Sequence, residues 1–263
     1  VIEALGLQVI EVPCDPSTGI KTGILKQVLE QHAVKACILI PTFNNPSGYT
    51  MPESKRIEVI SLLTEQGVTL VEDDIYADLS FTQSKPKSCY TLAPEADIIY
   101  CSSFSKSVEP GLRLGWACSK QHRDLIEYEK LLLNMATSSL PQIAMVEFLQ
   151  SKHHLDLLKR KNAVYASNMA AMSNMIMKLF PEGTRISEPQ GGFVLWLELD
   201  KRIDTFKLAI EASDKGISTA PGKLFSTTNN YNHCLRLSTS CWDDTNVQEA
   251  LKAVAELAHQ MLD

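Results

Sequence analysis

Three short polar segments, each following an apolar run, carry side chains able to do chemistry together. Residues 41–48 hold the amide pair Asn44-Asn45 before Pro46-Ser47-Gly48. Residues 73–76 bring two carboxylates, Asp73 and Asp74, and the phenol of Tyr76. Residues 102–113 bring the hydroxyls of Ser103 and Ser105, the amine of Lys106 and the guanidinium of Arg113. Taken singly, each has a commonplace reading. Asn-Pro-Ser-Gly makes a turn, an Asp pair ends a strand or caps a helix, a lysine sits on the surface, and an exposed arginine pair is worth about 0–1 kcal/mol. Taken together they are complementary. A lysine attaches to an aldehyde cofactor. A carboxylate pairs with a pyridinium nitrogen, while an amide and a phenol bond a ring oxygen. Hydroxyls with an arginine fork suit a phosphate dianion. Those are the functional groups of pyridoxal 5′-phosphate.

The elements that must position them follow from hydropathy. Residues 8–12, 36–40, 68–71, 98–101 and 114–118 read as strands, with helices over 23–32 and from Pro52 to about 66. The run at 36–40 is almost continuously apolar, as in a strand covered on both faces. Strand, helix, strand at this spacing predicts a mostly parallel sheet, and open sheets of that kind bind ligands beyond the carboxyl ends of their strands. Residues 121–180 read as almost wholly helical with a break at Pro141, and 152–179 as one long helix. After them come strands at 192–199, 217–220 and 234–238 and helices at 205–215 and 245–262. Two parts are expected, residues 1–151 and a smaller α+β part, 152–263. Trp116 and Trp196 are expected to pack in the core.

Composition excludes several function classes. The 263 residues are 44% hydrophobic and carry a net charge of −6, which leaves no basic footprint for nucleic acid on this chain, and no apolar run reaches the roughly 18 residues a membrane-spanning helix needs. Seven cysteines, with no CxxC pair, read as thiols of a reducing cytoplasm. Six histidines without ligand spacing argue against a metal site. No G-x-G-x-x-G supports a dinucleotide fold.

Asn45-Pro46-Ser47-Gly48, Asp73-x-x-Tyr76, Ser103-Phe104-Ser105-Lys106 and Pro110-Gly111-Leu112-Arg113-Leu114-Gly115-Trp116 resemble, in order and spacing, the motifs of class I/II aminotransferases of the fold-type-I pyridoxal phosphate family. The resemblance implies a three-layer α/β large domain with a smaller α+β C-terminal domain. It assigns Lys106 as the lysine that attaches the cofactor and later shuttles a proton at the substrate Cα. It selects Asp73 over Asp74 for the ring nitrogen, Asn45 and Tyr76 for the ring oxygen, and Ser103, Ser105 and Arg113 for phosphate. Gly191-Gly192-Phe193-x-x-Trp196, Pro221-Gly222 and Cys234-Leu235-Arg236-Leu237-Ser238 resemble the family's small domain, which makes Arg236 the holder of an amino acid's α-carboxylate.

The family's members are homodimers. Its domain occurs as a free-standing aminotransferase and as the effector domain of MocR-type regulators of the GntR family, which bind DNA through a preceding helix-turn-helix. Residues 44–50, 72–81, 101–106 and 220–226 look like the regulators and in part like kynurenine- and aminoadipate-type aminotransferases. The expected ligand is an amino acid or amine. The chain opens on Val1, and the resemblance implies that the family's large domain begins well before this point. A phosphate-cradling loop, a ring-stacking aromatic and further sheet strands have no counterpart upstream of Asn45. An unpaired apolar sheet edge and weak cofactor binding by these residues alone are therefore expected.

Overall fold

The computed structural model describes residues 2–15, 19–82, 84–228 and 230–262. Its first ladder is a ribbon of two two-residue strands, β1 (Cys14–Asp15) and β2 (Gly19–Ile20), paired antiparallel. Residues 8–12, expected as a strand, are unpaired; Pro13 lacks an N–H, and pairing begins just past it. Next come α1 (Thr22–Gln31), β3 (Ala36–Leu39), α2 (Glu53–Glu65), β4 (Thr69–Asp73), α3 (Cys89–Leu92), β5 (Ile98–Ser103) and β6 (Gly115–Cys118). The main sheet runs β3-β4-β5-β6, parallel through β5 with β6 antiparallel to it. Pro52 is the N-cap of α2, where its missing N–H costs nothing, and Gly67 follows the helix at φ +63°. Leu25 and Leu29 of α1 and Val59, Ile60 and Leu63 of α2 close over Leu39, Leu70 and Ile98 of the strands.

Two expectations about this sheet fail. The apolar run of β3 is not covered on both faces: Ala36 and Ile38, which share one face, are exposed, Ile38 at 55%. Trp116, on the opposite edge strand β6, is 38% exposed and leans on Phe104 rather than joining the core. The unpaired apolar edge expected from the sequence is present on both sides of the described sheet.

Three helices follow: α4 (Arg123–Asn134), α5 (Ser139–Gln150) and α6 (His153–Leu179). The break falls at residues 135–138, not at Pro141. Met135 takes a left-handed φ of +52°, and Pro141 is the third residue of α5, where no intrahelical acceptor waits for its N–H. Leu125, Leu132 and Leu133 of α4 and Leu140 and Ile143 of α5 are exposed. The second sheet, all antiparallel, runs β7-β8-β10-β9 from β7 (Arg185–Ile186), β8 (Val194–Glu198), β9 (Ala220–Pro221) and β10 (Cys234–Ser238). The strand expected at 217–220 shrinks to β9. Helices α7 (Thr205–Asp214) and α8 (Thr245–Gln260) and the distal half of α6 pack on this sheet around Leu195, Leu197 and Leu235. No helix among the described residues is long and apolar enough to cross a membrane.

Two buried charges brace the first sheet from below its functional edge. Glu72 of β4, fully buried, accepts the backbone N–H groups of Cys89 (2.7 Å) and Tyr90 (3.0 Å) and so pins α3. Arg56 of α2, also fully buried, donates to the carbonyls of Met51 (2.8 Å), Lys87 (2.7 Å) and Pro41 (2.9 Å). It fixes the chain where β3 gives way to the Asn44-Asn45 segment. Replacing Arg56 by Met leaves Pro41 O its bond from Met51 N (2.8 Å) but takes the donor from the carbonyls of Met51 and Lys87, each unpaired buried group costing about 1–3 kcal/mol. Arg56→Met is expected to lower unfolding stability by roughly 2 kcal/mol or more, measured by urea denaturation; an unchanged midpoint would contradict this bracing.

Candidate functional site

Because β3, β4 and β5 are parallel, their carboxyl ends fall on one edge, where the three polar segments begin. Register then decides which side chains meet. Asp73, the last residue of β4, lies opposite Cys101 of β5, and Ser103 ends β5 two residues further on.

The first segment is knitted by Asn44. Its amide donates to Ile40 O (3.1 Å) and its Oδ1 accepts from Ser47 N (3.2 Å) and Ser47 Oγ (2.7 Å). Gly48 closes the turn at φ +75°, where a Cβ would lie 2.6 Å from Pro189. Asn45 is thereby presented beyond the sheet, and its Oδ1 accepts from Nη1 of Arg236 at 3.1 Å. Two residues 191 positions apart thus meet, the first beyond the main sheet and the second on β10.

The two aspartates differ in one oxygen. Asp74 is buried and its Oδ2 accepts the hydroxyl of Tyr100 at 2.9 Å, while its Oδ1 has no hydrogen-bond partner. Asp73 also keeps a buried Oδ1 with no hydrogen-bond partner, and burial raises its pKa against the opposing backbone N–H of Ile75. Tyr76, almost fully buried, packs edge-on to Phe193 at 5.7 Å. Burial raises the Tyr76 phenol; the Arg236 cation and a hydrogen bond with Asn45 oppose that, while Asp73 adds to it. Asn45, Asp73, Tyr76 and Arg236 therefore form one electrostatically connected group.

Beyond β5, Ser105 N donates to Ser103 Oγ at 3.4 Å, and Arg113 Nη1 donates to Ser105 Oγ at 3.4 Å and Pro110 O at 3.2 Å. Arg113 takes a left-handed φ of +52° at the end of a short turn. The Ser103, Ser105 and Arg113 donors thus gather at one end. The amine of Lys106 stands 6.0 Å from the centroid of the Phe193 ring, the same ring that Tyr76 touches. Phe193 therefore joins the Lys106 end of the site to the Tyr76 end.

Sequence reasoning attached no role to Phe193 or Phe225. Phe225 lies 5.0 Å from the Arg236 guanidinium carbon, flanked in turn by Trp196. This cation–π contact helps hold the Arg236 fork in place, and its Nε remains buried without a partner. Aromatics beside Gly-Gly and Pro-Gly turns were the available signal. Trp196 itself is buried, as the sequence suggests.

The family model described as aminotransferase class I and II matches residues 1–254. An uncharacterized HTH-type transcriptional regulator of Escherichia coli K12, YjiR, is 32% identical over 262 residues, covering all of this chain and 56% of the regulator. The solved kynurenine aminotransferase of Pyrococcus horikoshii, crystallised with PMP, superposes with a TM-score of 0.91 at 28% identity, covering 98% of this chain and 65% of the other. LysN, an α-aminoadipate aminotransferase of Thermus thermophilus complexed with N-(5′-phosphopyridoxyl)-L-leucine, gives 0.89 at 28% identity over 98% of this chain and 67% of the other. The chain spans little more than half the length of the regulator it matches.

Asp74 supplies a test of the site's buried floor. Burial pushes its carboxyl up to about 6, against 3.8 for an ordinary aspartate. The folded chain therefore binds this proton more tightly than the unfolded chain. Its stabilising contribution is complete below about pH 4 and is lost as pH rises through 6. Asp74→Asn, which keeps an acceptor for Tyr100, is expected to gain about 3 kcal/mol on the wild type between pH 4 and pH 7. Parallel pH–stability curves for the two proteins would contradict the assignment.

Proposed function

The chain belongs to the aminotransferase class I and II family, and from that premise we propose that it holds pyridoxal 5′-phosphate through Lys106 and binds an amino acid or amine as the effector-sensing part of a MocR/GntR-type transcriptional regulator. The observation that carries this reading is the pair of buried, unpartnered polar atoms in one connected group. Asp73 Oδ1 lacks a donor and Arg236 Nε lacks an acceptor. Orphaned atoms of this kind fit a ligand that brings a ring N–H to one and a carboxylate to the other. The three-donor set of Ser103, Ser105 and Arg113 fits a phosphate group. In this reading the cofactor-binding part is residues 1–151 and the small part 152–263.

When bound, pyridoxal phosphate supplies an electron sink for charge developing at the Cα of an amino acid. The chain's own residues do the rest. Asp73 holds a proton at the ring nitrogen. Asn45 and Tyr76 donate to the ring oxygen. Arg236 binds the α-carboxylate with a fork backed by Phe225 and tethered by Asn45. The Lys106 amine, poised over Phe193, takes and returns the Cα proton.

The regulator reading leans on the similarity to YjiR across the whole chain. DNA contact would then lie outside these residues, whose net charge is −6. The exposed leucines of α4 and α5 support a homodimer, and the free thiols support a cytoplasmic setting. A second reading, a free-standing aminotransferase passing an amino group from an amino acid to a 2-oxo acid, is favoured by the likeness to two solved aminotransferases. Both readings share one pocket.

Borohydride reduction of the full-length protein with pyridoxal 5′-phosphate, followed by peptide mass spectrometry, tests the common core. A reduced adduct on the Lys106 peptide, lost in Lys106→Ala, is expected; labelling spread over other lysines, or unchanged in the variant, would overturn it. Amino acids that change DNA affinity without steady-state transamination support the regulator. Sustained turnover with a 2-oxo acid supports the enzyme. In either case Arg236→Met is expected to weaken carboxylate-bearing ligands by about 2–3 kcal/mol, roughly 30- to 150-fold, by titration; an unchanged affinity would contradict the role of Arg236.

A further inference from the structure

Lys106 is carried on a single turn whose carbonyls have no successors to bond. Val108 N and Glu109 N both donate back to Phe104 O, at 2.9 and 3.1 Å. A continuing helix would offer the carbonyl of Lys106 the N–H of residue 110 and that of Ser107 the N–H of residue 111. Residue 110 is proline and has none, and the N–H of Gly111 is taken by the carboxylate of Glu109 at 3.0 Å. The missing donors come from another element. The ammonium of Lys161, on α6, reaches the carbonyls of Lys106 (3.3 Å), Ser107 (3.2 Å) and Val108 (3.3 Å). An ammonium has three N–H donors and no acceptor, so these contacts match its full capacity. Burial lowers the pKa of Lys161, with the Glu109 carboxylate opposing.

The same stretch of α6 touches two more site segments. Asn162 donates to Asp78 O at 3.0 Å, just past the Asp73–Tyr76 stretch, and Tyr165 packs edge-on to Phe193 at 5.5 Å. Further along, Met169, Met172 and Ile176 of α6 lie in the core beneath the second sheet. The helix is therefore anchored at one end in the part that carries Arg236 and gripped at the other around the turn that carries Lys106.

We infer that Lys161 is a positioning residue for Lys106. It completes the turn from outside and sets where the lysine's backbone, and so its amine, stands relative to the rest of the site. It also couples that placement to α6. The inference rests on the reading that Lys106 attaches pyridoxal 5′-phosphate, and the experiment separates the two.

In the full-length protein, the rate of borohydride-trapped attachment of pyridoxal 5′-phosphate to Lys106 is compared with equilibrium binding of pyridoxamine 5′-phosphate. The second probe has no aldehyde and needs no lysine. Lys161→Met is expected to slow attachment at least about tenfold while leaving pyridoxamine phosphate affinity within about twofold. Lys161→Arg, which keeps a cationic donor, should recover most of the rate, and Lys161→Gln part of it. Equal losses with both probes would make Lys161 a general structural residue and overturn the inference. An unchanged attachment rate in both the Met and Gln variants would overturn it too. No attachment in the wild type would bring down the reading of Lys106 first, and this inference with it.

Discussion

The site depends on the register of one parallel strand pair. The side chains of Glu72 and Asp73 in β4, and of Asp74 just past it, have three different surroundings: the backbone of α3, a buried place at the strand end where Oδ1 has no partner, and the hydroxyl of Tyr100. A slip of one residue along β5 would exchange the faces of the strand. Asp73 would then meet the α3 backbone and a neighbour of different chemistry would face the edge. Each of the two buried acids therefore enforces the position of the one between them. Arg56 does the same for the β3 end by holding Pro41 O.

From that fixed edge the rest follows by short links. Asn45 is tied to Arg236, and Arg236 to the face of Phe225. Tyr76 is tied to Phe193, and Phe193 to Lys106 and Tyr165. Almost every link crosses between distant stretches of chain. The site is consequently a property of the assembled fold, and the long helix α6 runs through both halves of it.

The sequence revealed a good part of this. Parallel strands ending in polar segments were readable from apolar runs followed by Asn-Pro-Ser-Gly, Asp-Asp-x-Tyr and Ser-x-Ser-Lys, because strand ends and turns are local features. The bounds of β10 at Cys234–Ser238 and of the long helix were readable for the same reason. Residues 8–12 misled because apolar character alone does not supply a pairing partner. The run at 36–40 misled because hydropathy does not report whether an element packs over each face of a strand. Pro141 misled because its meaning depends on where the helix starts. Phe193, Phe225 and Lys161 were invisible for a further reason. Their importance lies in what they touch across the fold, as Lys161 touches a carbonyl 55 positions away, and no local pattern marks such a contact.

The central claim is that three strand ends and one strand of the second sheet form a single receptor for pyridoxal phosphate and a carboxylate. A crystal structure of the full-length protein with pyridoxal 5′-phosphate and a bound amino acid tests it most directly. The ring nitrogen is expected within hydrogen-bond distance of Asp73 Oδ1, the phosphate among Ser103, Ser105 and Arg113, and the carboxylate on Arg236. A cofactor seated with Asp74 at its ring nitrogen, or a carboxylate held away from Arg236, would contradict it.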